Sequence, residues 1–397
     1  MSAYSPFAHR DYRLLLSGMF LGNFGLQMMS LAVSWDLYQR TKSAVVLGNV
    51  GFVQVLPFLL FSLAAGHVAD RYNRRDVLNI TQVLLLAASL ILAFTPGSVA
   101  VIYICLFLTA TARSFQGPVR MAMIPNVVPP ADLRTAITWN SSASEIANVA
   151  GPALAGLLLA ISDSKSVYFV QCGCALATLG CYALMRPSRP RPVSTEPERL
   201  SAFLDGARFV WSNKLILSAI SLDMFAVLFG GATALLPIFA VEVLHTDSRG
   251  LGWLRAAQPI GAVSMALFTA HRLRIHNAGR ILLLAVAGFG VATIGFALST
   301  AFWLSFGMLV LTGAFDNISV VLRHGLVQTE TPDRVRGRVL AVNNIFISCS
   351  NQLGAVESGW AAALMGTVPS VVFGGLATIA IAATWAAISK PLRHWRH

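Results

Sequence analysis

Acidic residues are scarce in this chain. Asp and Glu together number 17 in 397 residues, and all charged types make up 12%, against ~25% in a soluble domain. With 56% apolar residues and a mean hydropathy of +0.67, the shortfall points to lipid as the solvent. No phosphate-cradling G-x-x-x-x-G-K-[ST] run occurs, so ATP is not expected to supply the energy. No Ser-His-Asp or metal-hydrolase pattern occurs either, and the histidines fall mostly in loops or near the ends of apolar runs. An enzyme is therefore not expected. Cysteines are few: Cys105, Cys172, Cys174, Cys181 and Cys349. All lie in apolar stretches and none has a His or second Cys pair at ligand spacing, so no metal and no disulfide is expected. Near the N-terminus no small-residue cleavage site closes a short apolar core, and the first apolar run is expected to remain as a membrane helix.

Long apolar runs are what the chain has instead. A membrane helix needs about 20 mostly apolar residues. Twelve such runs can be placed, at 14–36, 44–66, 77–96, 99–119, 137–160, 166–185, 215–241, 250–270, 279–299, 302–322, 339–363 and 368–389. Each should be helical, because no backbone polar group can stay unpaired in lipid. Of the 29 Lys and Arg, 23 fall in loops on the side of the termini and five on the other, with Arg113 inside a span. That bias puts both termini in the cytoplasm. It also accounts for the net charge of +12 without nucleic acid, which is not expected as a partner.

One polar linker interrupts the pattern. It opens "RPSRPRPVSTEPER", rich in proline and charge, and continues "LSAFLDGARFVWS". In the second part Phe203, Leu204, Ala207, Val210 and Trp211 share one helical side, the pattern of a helix lying on a membrane surface. The linker divides the chain into a six-helix bundle over 1–185, a linker with an amphipathic helix over 186–214, and a second six-helix bundle over 215–397.

The halves repeat at a shift of about 203 residues, judged from helical-face correspondence. Thr109, Arg113, Gln116 and Arg120 in span 4 become Thr312, Asp316, Ser319 and Arg323 in span 10. Asn140, Gly151 and Gly156 become Asn343, Gly354 and Gly359, and "PPADLR" faces "TPDRVR". The expected fold is thus an all-α membrane protein of 12 transmembrane helices in two pseudo-symmetric six-helix bundles, an architecture of transporters.

Three motifs carry a family resemblance. Between spans 2 and 3 stands "GHVADRYNRR", with Gly66, Asp70, Arg71, Arg74 and Arg75. Span 4 holds Arg113, Gln116 and Gly117, and span 5 holds Gly151, Pro152, Ala155 and Gly156. Over its full length the chain resembles the major facilitator superfamily, whose G-x-x-x-D-R-x-G-R-R loop the first motif matches with Asn73 in place of the second glycine. Asn tolerates the left-handed backbone a glycine would adopt there. The second motif resembles one of proton antiporters, and the third resembles one of exporters. "TPDRVRGRV", the following "NN" and the terminal "LRHWRH" are similar to the branch of enterobactin exporters and macrolide-efflux proteins. That branch often carries an Asp early in span 1, where this chain has Asn23.

The resemblance implies a conformational gate at Gly66, Asp70, Arg71, Arg74 and Arg75. In it Gly66 approaches span 11, and Asp70 meets the start of that span and Arg120. It also implies that Glu357 belongs to the branch. The residues themselves offer five ionisable groups within spans, Arg113, Glu145, Asp223, Asp316 and Glu357, each either a proton relay or substrate contact or else half of a structural pair. Asp223 has no basic residue within two turns of its own helix, so any partner must come from another. Glu145 shares a face with Ser141, Asn148 and Pro152. Asn23, Gln27, Ser30 and Ser34 form a neutral stripe on span 1 that lines a cavity or holds helices together. Asp36 should be solvated.

The expected function is proton-coupled export of a medium-sized organic compound, such as a siderophore or amphipathic drug, from the bacterial inner membrane. It would be carried out by a monomer with no cofactor beyond the proton gradient. An importer or facilitator on the same fold, and a receptor or scaffold that does not transport, are the alternatives.

Overall fold

The computed structural model describes residues 4–95, 97–187, 199–272 and 277–395, and is helical almost throughout. No strand occurs among the described residues. Two compact units form. The first holds the chain up to Arg40 and from Val53 through the sixth helix; the second holds Thr41–Phe52 and everything from the seventh helix on.

Helices α1 (Arg10–Thr41), α2 (Ala44–Arg71), α3 (Arg74–Phe94), α4 (Val99–Val127), α5 (Leu133–Ile161) and α6 (Ser164–Ala183) build the first unit, apart from Thr41–Phe52. The second contains α7 (Arg199–Ser212), α8 (Lys214–Gly230), α9 (Leu236–Ile238), α10 (Ser248–Arg272), α11 (Ala278–Leu298), α12 (Phe302–Glu330), α13 (Asp333–Met365), α14 (Thr367–Ile388) and α15 (Lys390–Arg393). Eleven stretches among the described residues are helical, long and apolar enough to cross a membrane. The expected span over 250–270 forms the helix α10 but is not among them, and its sequence carries Arg249, Arg255 and Gln258. The opening of the expected linker lies outside the described residues.

The internal repeat reappears as packing. In the first unit α3 packs against both α4 and α6; in the second α11 packs against both α12 and α14. These are corresponding helices of the two halves. Each unit has an apolar core: Tyr12, Leu15, Leu78, Val119, Met123 and Tyr182 in the first, and Val210, Ile220, Leu282, Leu322, Leu326 and Val339 in the second. Large apolar side chains also point outward, among them Ile80, Phe94, Leu284, Trp303 and Leu364. Helices apolar on both the packed and the outer side suit a surround of lipid.

Between membrane helices, small residues give close approach and dispersion contact. A Cβ on Gly313 of α12 would strike the Gln258 carbonyl of α10, and one on Gly261 of α10 would strike the Val310 carbonyl. The α10–α12 crossing is therefore backbone against backbone. Likewise Gly48 joins the second unit because a Cβ there would come within 2.9 Å of the Gly359 Cα. Beside it Trp360 Nε1 donates to Asn49 Oδ1 at 3.2 Å.

Three expectations change. Span 7, expected as one helix over 215–241, is broken: α8 stops at Gly230, and a 3-10 turn (Thr233–Leu235), α9 and a π-helical turn (Phe239–Val243) continue it. Adjacent glycines at 230 and 231 weaken helix continuity, which the kinking proline at 237 alone would not do. The amphipathic face of α7 divides: Val210 is buried and Ala207 packs with it, while Leu204 and Trp211 are exposed. The side chain of Phe203 lies outside the described residues. Asp36 is not free but pairs with Arg40 at 3.0 Å, one helical turn on.

The glycine contacts yield a test. Gly313→Ala should lower the unfolding temperature of the detergent-purified protein, since overpacking costs ~1–3 kcal/mol. Gly307→Ala on the same helix meets nothing within 4 Å and should leave that temperature unchanged or raise it. Equal behaviour of the two variants in a thermal melt would contradict the close crossing.

Candidate functional site

In the first unit the polar residues of α1 reach α5. Asn23 Nδ2 donates to the Ser144 carbonyl at 3.3 Å and to Asn148 Oδ1 at 3.2 Å. Gln27 Nε2 donates to the same Oδ1 at 2.6 Å. Sequence spacing explains the meeting: Asn23 and Gln27 are one turn apart and share a face, as do Ser144 and Asn148. Directly beyond, a Cβ on Gly151 would come within 2.7 Å of Gln27 Cβ and 3.0 Å of the Phe24 carbonyl. Pro152 and Gly156 are buried beside it. The glycine-proline motif thus sits at a close α1–α5 crossing, and the amides hold that crossing with neutral hydrogen bonds.

The span-4 motif divides between two surroundings. Gln116 is buried and donates to Gln82 Oε1 at 3.2 Å, while Arg120 donates to Gln116 Oε1 at 2.7 Å. Gln82 in turn donates to the Ala175 carbonyl at 3.4 Å. A relay of amides therefore links α4, α3 and α6. Arg113 lies outside it, exposed, and Glu145 is half-buried. Neither makes a hydrogen bond or ion pair among the described residues.

The loop motif between α2 and α3 braces its own unit. Gly66 and Asp70 fall in the last turns of α2, Gly66 half-buried and Arg71 exposed; the side chain of Asp70 lies outside the described residues. Arg74 donates to the Ala122 carbonyl at 2.9 Å and Arg75 to the Met185 carbonyl at 3.0 Å. The Met185 carbonyl lies just past the end of α6, where carbonyls lack helical partners and a cation is favourable. The left-handed backbone expected at Asn73 is not what forms. Asn73 has φ −61° and ψ 117°, and its side chain accepts from the Arg75 amide at 3.2 Å. It caps α3, and a residue with a capping oxygen is better there than the glycine it replaces.

Charge concentrates in the second unit. Asp223 of α8 forms an ion pair with Arg323 of α12; the two residues are 6% and 1% exposed. The partner of Asp223 is thus a residue one position past the expected end of span 10 at 322. Helix α12 runs on to Glu330, so Arg323 stays inside the bundle. Its position as the repeat mate of Arg120, two turns beyond Asp316, was the available signal. Asp316 and Ser319 line a small crevice together with Asp223, Val227, Phe289 and Phe315.

A second polar group gathers where span 7 breaks. The Gly231 carbonyl accepts from Ser358 Oγ at 2.7 Å, and that hydroxyl also lies 3.4 Å from Glu357 Oε2. Arg255 of α10 donates to the Thr233 carbonyl at 3.2 Å. Gln258, one turn on, accepts from Thr233 Oγ1 at 3.2 Å and donates to Thr312 Oγ1 at 3.3 Å. Thr233, Arg255 and Gln258 were not singled out from sequence; the Gly230–Gly231 pair and the i,i+3 spacing of Arg255 and Gln258 were the clues. Among the described residues no cluster of three or more His, Cys, Asp or Glu could hold a metal.

Known proteins agree with this architecture. Residues 1–397 match the family described as transmembrane secretion effector. The chain is 24% identical to the staphyloferrin A transporter of Staphylococcus aureus over 94% of each chain. It is 26% identical to the multidrug efflux pump Tap of Mycolicibacterium fortuitum, over 87% of this chain and 88% of that one. It is 23% identical to the enterobactin exporter EntS of Escherichia coli, over 98% and 94%. Among solved structures, a POT family transporter with bound 5-aminolevulinic acid superposes with a TM-score of 0.78 at 11% identity, covering 97% of both chains. A D-xylose-proton symporter gives 0.75 at 13% identity, over 97% and 99%. The chain is a multi-pass membrane transporter and not an enzyme, and it belongs to the transmembrane secretion effector family of the major facilitator superfamily.

Proposed function

We propose that this transporter exports a medium-sized organic compound, a siderophore or an amphipathic drug, in exchange for protons across the bacterial inner membrane. The substrate class is suggested by the relatives, which include an enterobactin exporter, a staphyloferrin A transporter and a multidrug pump. Twelve spans with both termini in the cytoplasm fit the Lys and Arg distribution. The halves 1–185 and 215–397 would open a shared path alternately to either side, with the stretch from Gly66 to Arg75 as gate. A monomer and the proton gradient would suffice.

One observation carries the proton coupling: the buried Asp223–Arg323 pair beside Asp316. Unpaired charge is costly in a membrane protein, so a carboxylate held by a guanidinium is a two-state element. Protonating Asp223 removes its hold on Arg323 and leaves the cation to find another anion. Asp316, lining the same crevice, is placed to supply one. Proton binding from outside and release inside would then bias the two conformations in opposite directions. Asn23 cannot titrate, so the first unit offers no acid at that position and the role falls to the second.

Everted membrane vesicles test this. Acidifying the lumen should drive substrate uptake by the wild type. Asp316→Asn and Asp223→Asn should lose most of that uptake while keeping substrate-for-substrate exchange. If Asp223→Asn, Asp316→Asn, Glu145→Gln and Glu357→Gln all retained proton-driven flux, the coupling scheme would be wrong.

The pair also predicts stability. Breaking a buried ion pair by removing one partner costs ~3–5 kcal/mol, whereas replacing both by apolar residues is often neutral. Arg323→Met alone should lower the unfolding temperature sharply, and adding Asp223→Leu should restore most of it without restoring proton-driven uptake. A double variant no more stable than the single one would show that the two charges do not act as a pair.

A further inference from the structure

Arg255 differs from Arg323 and Arg40 in having no acid beside it among the described residues. It lies seven residues into α10, about 10 Å from the helix start at 1.5 Å per residue. Its only polar contact is one donation to the Thr233 carbonyl, and no acidic side chain pairs with it among the described residues. By contrast Arg323 has Asp223 and Arg40 has Asp36. A guanidinium carries five N–H donors, so most of those on Arg255 remain unused. Its side chain is half-buried, neither sealed in the core nor fully solvated.

The contact that Arg255 does make holds it in place. The Thr233 carbonyl belongs to the turn that interrupts span 7. Gln258 is fixed on both sides, by Thr233 and by Thr312. The guanidinium is therefore anchored at one edge, with a bridged amide one turn away and the remaining donors unengaged. A positioned fork of this kind matches the two oxygens of a carboxylate, or the paired oxygens of a catecholate. In the twelve-span reading Arg255 lies within a span, where retaining a charge without an acid is costly unless an anion is supplied.

We propose that Arg255, seated on the broken span 7 and supported by Gln258, binds the anionic group of the transported compound and makes the substrate an organic anion. This rests on the reading of the chain as an exporter and names its substrate class. Arg113, the cation that sequence alone singled out, has no such anchor.

Binding can be measured on the full chain in nanodiscs by fluorescence anisotropy, with carboxyfluorescein as the anionic probe and rhodamine 6G as a cation of similar size. The wild type should prefer the anion. Arg255→Gln, which can still donate to the Thr233 carbonyl, should weaken carboxyfluorescein binding about tenfold, the scale of one charge-assisted hydrogen bond. It should leave rhodamine 6G unchanged, and Arg255→Lys, which restores the charge without the fork, should recover only part of the anion affinity. No anion preference in the wild type, an unchanged affinity in Arg255→Gln, or an equal loss of both probes would each overturn the assignment. Flux of both probes in everted vesicles separates the two readings. Arg255-dependent binding without proton-driven flux would sink the exporter reading and leave the anion site standing. Proton-driven carboxyfluorescein flux indifferent to Arg255 would do the reverse.

Discussion

A charge carried into a bilayer has to be met by another charge or by oriented dipoles, and that requirement shapes the interior of both units. Asp223 and Arg323 meet it with each other. Arg120 meets it with an amide relay through Gln116 and Gln82, and Arg255 with a carbonyl of a broken helix. In each case the helix supplying the partner differs from the one supplying the charge, or the partner lies one turn away. The packing of the helices and the placing of the charges are one problem. The pair is poor evidence of stability in itself, because desolvating both ions costs as much as their attraction returns. In the proposed coupling its value would be that one proton opens it.

Backbone obeys the same rule. A helix that stops at Gly230 frees carbonyls that lipid cannot satisfy. Ser358 takes the Gly231 carbonyl and Arg255 takes that of Thr233. The residues that repair the break are therefore the ones gathered around it, and a structural need assembles a polar site at mid-helix. Irregular backbone in membrane transporters is tolerated where such partners or a cavity surround it. The glycine contacts contribute in the same place: a Cβ on Gly354 would come within 2.9 Å of the Val227 carbonyl, just before the break.

Much of this was legible in the sequence. Apolar runs, separated by loops rich in Lys and Arg, gave the helices, and a shift of about 203 residues, read on helical faces, gave the repeat that reappears in the matching α3–α4–α6 and α11–α12–α14 packing. Asp223 was marked as needing a partner from elsewhere. The identity of that partner was hidden because hydropathy ends a span where polar residues begin, while the helix and the buried environment continue past Leu322 to Arg323 and beyond. Arg255 fell within the expected span over 250–270, but the carbonyl it meets belongs to the break in span 7, which hydropathy does not reveal. Asn73 was misread because a glycine position in a motif suggests a left-handed backbone, yet here a side-chain oxygen capping α3 serves the turn without one.

The two halves descend from one plan but divide its chemistry unequally. At the positions related by the repeat, Arg120 is held by a neutral amide and Arg323 by a carboxylate. Asn23 joins Gln27 and Asn148 in a group that no pH change can charge. The amide hydrogen bonds contain no titratable group, whereas an aspartate–arginine pair does. A first unit built on amides can thus act as a rigid frame whatever the proton supply. The second unit holds the ionisable groups Asp223, Asp316, Arg323 and Arg255, on which the proposed proton and anion responses would act. The repeat supplies two similar frames, and different residues at a few interior positions leave the buried aspartate–arginine pair in one of them.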